Sequence, residues 1–278
     1  MGQKYSVRNL MMILCCGFSL LEFCHTVDAQ TAQQIAKKAF GSTVLLVMED
    51  TLGQPVSLGS GFFVREGIIA SNLHVVGGAP RGYAKVINEK TKYNIEGITG
   101  IDSDRDLILL KISAGRTKPL ILGNSDIVEV GEPVYAVGNP QGLEGTFSQG
   151  IVSGIREAGT DRLIQVTAPI SPGSSGGPVL NAKGEVIGVS VATFQGGQNL
   201  NFAIPSNYLR TLLGKTTSLQ PLKEFKSSVR ERSIVGDLGG KSTEGVIGTN
   251  LTYDTSSIPN GAYSFSLVNK LREPVRKI

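Results

Sequence analysis

The chain has 278 residues, 40% hydrophobic and 18% charged, with a net charge of +4, which fits a folded, soluble protein. No basic helix or aromatic–basic platform suggests a nucleic-acid partner, and the charge is unevenly placed. Residues 30–210 balance 15 basic against 15 acidic groups, whereas residues 211–278 carry ten against six, as a solvated linker and tail would.

In chain order, residues 1–29 read as a secretory signal peptide. Lys4 and Arg8 precede an apolar run from Leu10 to Phe23, and Val27-Asp28-Ala29 suits a cleavage site after Ala29. A retained membrane anchor is the weaker reading, because the run is shorter than the ~20 residues that span a bilayer. The expected location is therefore the periplasm or the medium. Cys15, Cys16 and Cys24, the only cysteines, all fall in this segment, so the mature chain has no disulfide or Cys-metal chemistry.

Thr31–Phe40 reads as a short helix stopped by Gly41. Short strands with turn signals follow: 43–48, 60–64, 68–71, 84–88, 94–99, 107–112, 133–137, 150–155, 163–167, 186–192 and 201–204. With glycine-rich turns between them, in a chain that has 35 glycines in all, they predict an all-β barrel or sandwich. Residues 206–213 read as a second helix, with Ser206 or Asn207 as N-cap and Gly214 as stop. These elements define a domain over 30–214. Residues 215–248, rich in Ser, Lys and Gly, read as linker. Residues 249–278, with strand-like alternation over 261–269, read as the start of an incomplete β-sandwich.

Three places carry chemistry. His74, the only histidine after residue 29, sits where an apolar strand ends in a small polar turn. Pro172-Gly173-Ser174-Ser175-Gly176-Gly177-Pro178 suits a nucleophilic serine on a tight turn, with the amides of Gly173 and Ser175 forming an oxyanion hole. Asp106 stands at the mouth of the apolar strand 107–112, where it would orient His74. It is preferred to Asp102 and Asp104 because it directly abuts that strand. The order His, Asp, Ser is that of chymotrypsin. Spacings of 32 and 69 residues put His and Asp in the first half of the domain and Ser in the second. One histidine and no cysteine leave no zinc set, and no cofactor motif occurs.

The chain resembles the HtrA/Deg family of serine proteases over about residues 42–210. The matching stretches, in family order, are Gly59–Val64, Ser71–Val76, Asp106–Lys111, Gly138–Leu143, Gly150–Gly154, Pro172–Pro178 and Asn201–Pro205. The resemblance implies a chymotrypsin-like pair of six-stranded β-barrels and cleavage of unfolded or misfolded proteins in the cell envelope. It also implies a homo-oligomer, a trimer, for which 31–40 is the candidate segment. No PDZ domain of the usual kind is legible after residue 210. Thr167 stands where the family often has an acid, and Ser174 where it often has Asn.

Pro169 holds the position where trypsin has its acidic pocket residue, so a cationic side chain would be buried there without a partner. Small or medium aliphatic residues are expected before the scissile bond, with Pro169, Val191, Thr193 and Leu200 as lining. Two other readings stay open. One is a protease-fold binding or chaperone-like protein with little catalysis. The other is a targeting module whose tail does the work.

Overall fold

The computed structural model describes residues 30–225 except 141–142, 159–160, 194–199 and 216, together with four short strands beyond. Helix α1 (Ala32–Phe40) opens the fold. The Thr31 hydroxyl accepts the Gln34 N–H at 3.2 Å, and the Gln34 side chain accepts the Thr31 N–H at 2.8 Å. This reciprocal cap satisfies two amides that helix geometry leaves without partners.

Strands β1 (Thr43–Glu49), β2 (Pro55–Arg65), β3 (Ile68–Asn72), β4 (Arg81–Val86), β5 (Lys92–Asp102) and β6 (Leu107–Ile112) close a barrel in the order β1-β2-β3-β6-β5-β4. Strands β7 (Pro133–Gly138), β8 (Thr146–Ala158), β9 (Asp161–Val166), β10 (Pro178–Asn181), β11 (Val186–Thr193) and β12 (Asn201–Pro205) close a second one, β7-β8-β9-β12-β11-β10. The two orders are the same permutation, and closure leaves neither sheet an open edge. All pairs within both barrels are antiparallel. The fold is therefore the chymotrypsin-like double barrel, with the expected helices at either end.

The run Leu107-Ile108-Leu109-Leu110 is apolar without alternation because both faces of β6 are covered. Ile108, Leu110 and Ile112 fill the first barrel with Leu46, Met48, Phe63 and Ile69. Leu107 and Leu109 point the other way, into a cluster shared with Tyr135, Val137, Leu180 and Val189 of the second barrel. This shared core fixes one barrel on the other.

Each barrel is covered by a segment from the far end of the chain. Helix α1 lies on the second barrel, where Phe40 meets Phe147 edge-on at 6.4 Å and Ile35 packs beside Gly184. Helix α3 (Ser206–Leu213) follows the second barrel, and Leu212 leans on Gly100 of β5. Beyond it, residues 217–225 run along β5: Ile98 and Gln220 exchange both backbone hydrogen bonds at 2.8 and 2.9 Å, and Leu222 is buried in the first barrel's core.

The sequence reading needs four corrections. The strand β10 was not foreseen, being only four residues long behind the glycine-rich turn. A short helix α2 (Leu73–Val76) stands where a turn was expected. The N-cap of α3 is Pro205, not Ser206 or Asn207, because the Ser206 hydroxyl donates instead to the Gly123 carbonyl at 2.9 Å. Residues 217–225, expected as linker, form the strap on β5. Further on, Ser233–Gly236 pairs with Tyr263–Ser266 inside the expected 261–269 strand, and Val246–Ile247 pairs with Leu251–Thr252. The proposed signal and residues 274–278 lie outside the described residues.

Candidate active site

Strand pairing brings the first two predicted residues together. Asn72, the last residue of β3, is in register with Leu107, the first of β6. His74, two residues past one strand, and Asp106, one before the other, therefore become neighbours. The Asp106 Oδ2 lies 2.5 Å from His74 Nδ1, and its Oδ1 accepts the His74 backbone N–H at 2.8 Å. The Asp106 carbonyl accepts from Asn72 Nδ2 at 3.0 Å and from the Leu73 N–H at 3.1 Å. These bonds hold Asp106 at a φ of 51°, in the left-handed region that aspartate tolerates better than most residues.

Asp106 is buried, and the His74 side chain is 19% exposed. Burial works to lower the imidazole pKa. The charge of Asp106 and its hydrogen bond outweigh that cost and raise the pKa above the usual histidine value. Asp102 and Asp104, the sequence competitors, make no hydrogen bond to His74 among the described residues; Asp102 pairs with Arg105.

The Ser175 turn comes from the second barrel but is seated on the first. The Ser60 N–H donates to the Ser175 carbonyl at 2.8 Å, and the Ser60 hydroxyl donates to the Gly173 carbonyl at 2.7 Å. A Cβ on Gly176 would stand 2.2 Å from the Ser60 carbonyl and 2.3 Å from the Ser71 hydroxyl, so only glycine permits this approach. Ser71 is three residues before His74, which sets the serine turn against the strand that leads into the histidine's helix. From the other side, the Ser190 hydroxyl donates to the Ser174 carbonyl at 2.5 Å and the Gly176 N–H to the Ser190 carbonyl at 2.8 Å.

Gly173 has a φ of 97°. Among the described residues, the amides of Gly173 and Ser175 have no acceptor. Ser175 is buried, and its hydroxyl makes one long bond, 3.4 Å, to the Val191 carbonyl. No hydrogen bond joins it to His74 among the described residues.

Sequence reasoning missed Ser60, Asn139 and Ser190. The Ser60 hydroxyl also accepts from Asn139, at 2.9 Å from the backbone N–H and 3.2 Å from Nδ2, while Asn139 Nδ2 reaches the Val44 carbonyl at 3.0 Å. All three are fully or almost fully buried polar residues. The available signal was position, Ser60 and Ser190 lying within otherwise apolar or glycine-rich strands.

The predicted lining is distributed around Asn201. Thr193 pairs with Asn201 across β11 and β12, and Leu200 precedes it. Asn201 Nδ2 donates to the Ala168 carbonyl at 2.9 Å, next to Pro169, which is exposed. The Pro169 carbonyl accepts from the Ser148 hydroxyl at 2.7 Å. Val191 is buried, and its carbonyl faces the Ser175 hydroxyl. Thr167, singled out from the sequence, has its hydroxyl on the Ile151 N–H at 2.9 Å. Among the described residues no group of three metal-ligating side chains is found.

The family model for a trypsin-like peptidase domain matches residues 59–189. A protein named as a DegP-like periplasmic serine endoprotease in Brucella suis is 40% identical over 164 residues, 55% of this chain and 32% of that one. Among solved structures, Deg5 is 32% identical with a TM-score of 0.55, covering 64% of this chain and 90% of that one. A serine endoprotease from Yersinia pestis is 27% identical with a TM-score of 0.60, covering 73% and 70%. The chain spans roughly a third of the length of the curated relatives it matches.

Proposed function

Because this chain belongs to the HtrA/Deg family of chymotrypsin-like serine proteases, we propose that it is an exported serine endopeptidase cleaving unfolded or misfolded proteins through His74, Asp106 and Ser175. The observation that carries this reading is the double hold of Asp106 on His74, at the ring and at the backbone. An imidazole held at Nδ1 presents Nε2 as a base, and the carboxylate stabilises the imidazolium formed when the base takes a proton.

In this mechanism the Ser175 hydroxyl leaves the Val191 carbonyl and turns towards His74 on substrate binding. Its hydroxyl oxygen attacks the peptide carbonyl while His74 takes the proton. The amides of Gly173 and Ser175, without an acceptor among the described residues, receive the negative oxygen. His74 then protonates the leaving amine, and water activated by the same imidazole releases the acyl group. Pro169, Val191, Thr193 and Leu200 select small or medium aliphatic side chains before the scissile bond. Removal of residues 1–29 releases the mature enzyme into the periplasm or the medium, and it assembles as a trimer.

The test is digestion of unfolded β-casein by the chain starting at Gln30, beside its Ser175→Ala variant, with the new ends mapped by mass spectrometry. Cleavage by the wild type alone, after aliphatic residues, is expected. Equal cleavage by both would remove Ser175 from the chemistry. The resting bond of Ser175 to Val191 also fits a second reading, a binding protein that keeps the fold. Suppression of substrate aggregation by Ser175→Ala, without cleavage by either form, would favour it.

A further inference from the structure

Arg105, the residue before Asp106, has no part in the mechanism above, yet it joins the two barrels. Its Nη1 donates to Asp102 Oδ2 at 2.9 Å, at the end of β5. Its Nε and Nη2 reach Asp161 Oδ1 at 2.8 and 2.7 Å, at the first residue of β9. Its guanidinium lies over the Tyr208 ring of α3, 4.4 Å from the centroid, and the Tyr208 hydroxyl accepts the Arg162 N–H at 3.1 Å. The Arg105 backbone N–H also donates to Asp102 Oδ1 at 3.0 Å, closing the turn.

An isolated surface ion pair would contribute little. Here the Asp161 side chain is only 6% exposed, two donors converge on one of its oxygens, and an aromatic face backs the cation. Asp161 of β9 faces Arg105 from the second barrel, while Asp102 and Asp104 of the same turn and Lys215 after α3 border, with Arg105, Thr211 and Leu212, a cleft of about 480 Å³. Among the described residues, the only charged side chain bonded to the His74 ring is Asp106.

We infer that Arg105 is a positioning residue for the proposed reaction: by fastening the turn that carries Asp106 to the second barrel, it sets the His74–Asp106 pair at the correct reach from Ser175. The inference rests on the proposed triad. Asp106 is otherwise held by Asn72, Leu73 and His74, all on the first barrel, whereas Ser175 belongs to the second. Arg105 is thus a polar tie from the acid's own turn to the nucleophile's barrel.

The experiment compares Arg105→Met, Arg105→Lys and Asp161→Asn in the mature protein. It measures kcat and KM on an aliphatic peptide substrate across pH, labelling by a fluorophosphonate, and thermal unfolding. Loss of the tie shifts the acid–base pair by a fraction of an ångström, so kcat is expected to fall on the order of tenfold in Arg105→Met with KM held within about twofold. The acidic limb of the kcat profile moves down towards the ordinary histidine value as the hold of Asp106 loosens. Arg105→Lys recovers part of kcat, and Arg105→Met with Asp161→Asn is no worse than Arg105→Met alone. Wild-type kcat and an unmoved acidic limb in Arg105→Met, even with a lowered Tm, overturn the inference. If Arg105→Met fails to fold, Asp161→Asn, which keeps the stack on Tyr208, decides by the same readouts. A wild type that fluorophosphonate does not label refutes the triad reading and this inference with it. A labelled wild type with an indifferent Arg105→Met refutes only the inference.

Discussion

Asp106 holds His74 at two points, its Oδ2 on the ring Nδ1 at 2.5 Å and its Oδ1 on the backbone N–H at 2.8 Å. One carboxylate therefore fixes both where the histidine stands and which tautomer it adopts. Asp106→Asn keeps the shape but presents a ring-facing amide that can donate, which favours the wrong tautomer. We expect kcat to fall by about 10⁴-fold with little change in KM. Steady-state kinetics on a peptide substrate, with a thermal melt to show the fold retained, check this.

The same pair sets opposite pH trends for activity and stability. The His74 pKa is raised above 6.5, by the charge and hydrogen bond of Asp106 against the cost of burial. As a base His74 must be neutral, so kcat/KM should rise with pH through a midpoint above 6.5. For stability the sign reverses. The folded state favours the charged imidazole, so that contribution is complete below the unfolded pKa of about 6.5 and is lost as pH rises through the folded one. Denaturant melts from pH 5 to 9, beside a rate profile, should show the two curves diverging, and the stability trend should vanish in His74→Gln.

Ser60 is the common partner of Gly173, Asn139 and Ser71, and its amide holds the Ser175 carbonyl. Ser60→Ala removes only the hydroxyl, leaving the buried Asn139 N–H without it as an acceptor and the Gly173 carbonyl without it as a donor. The expected loss of stability is about 1–3 kcal/mol. Because Gly173 bears one of the two amides proposed to hold the oxyanion, kcat should fall further than that of an equally destabilised core variant. Chemical denaturation beside kinetics separates the two effects.

Gly97 faces the strap directly: a Cβ there would stand 2.4 Å from the Gln220 carbonyl. Gly97→Val should dislodge residues 217–225 from β5 at a cost of about 1–3 kcal/mol. Trypsin should then cut after Lys223 sooner than in the wild type, with the two barrels otherwise intact. An unchanged cleavage time course would show that the strap tolerates the side chain.

Specificity is checked by Pro169→Asp, which puts a carboxylate at the expected pocket base. Cleavage after Arg or Lys should appear and cleavage after Val or Ala should fall, read from the new ends of a digested unfolded protein. A cleavage pattern identical to the wild type would place Pro169 outside the pocket.

Much of the barrel pattern was legible because each strand carries its own apolar run, and β6 was delimited from Leu107 to Ile112 as observed. Strand β10 escaped because four residues give too short a window for alternation to register. The candidate site was legible at His74, Asp106 and Ser175 because each has a local signature, a turn after a strand, an acid before one, and a glycine-flanked serine. Ser60, Asn139, Ser190 and Arg105 were not, since their roles arise from partners 16 to 113 residues away that only the folded barrels bring close. The strap was misread as linker for the same reason: its Ser, Thr and Gln residues look solvated until their backbone finds β5.

The crossed covering of the barrels bears on how the molecule unfolds. The segment before the first barrel fastens the second, and the segment after the second fastens the first. Neither half can come apart while the other's end remains in place, so unfolding should be a single cooperative event rather than two separate meltings. A polypeptide nicked between β6 and β7 should accordingly still migrate as one particle under native conditions, its two fragments parting only in denaturant.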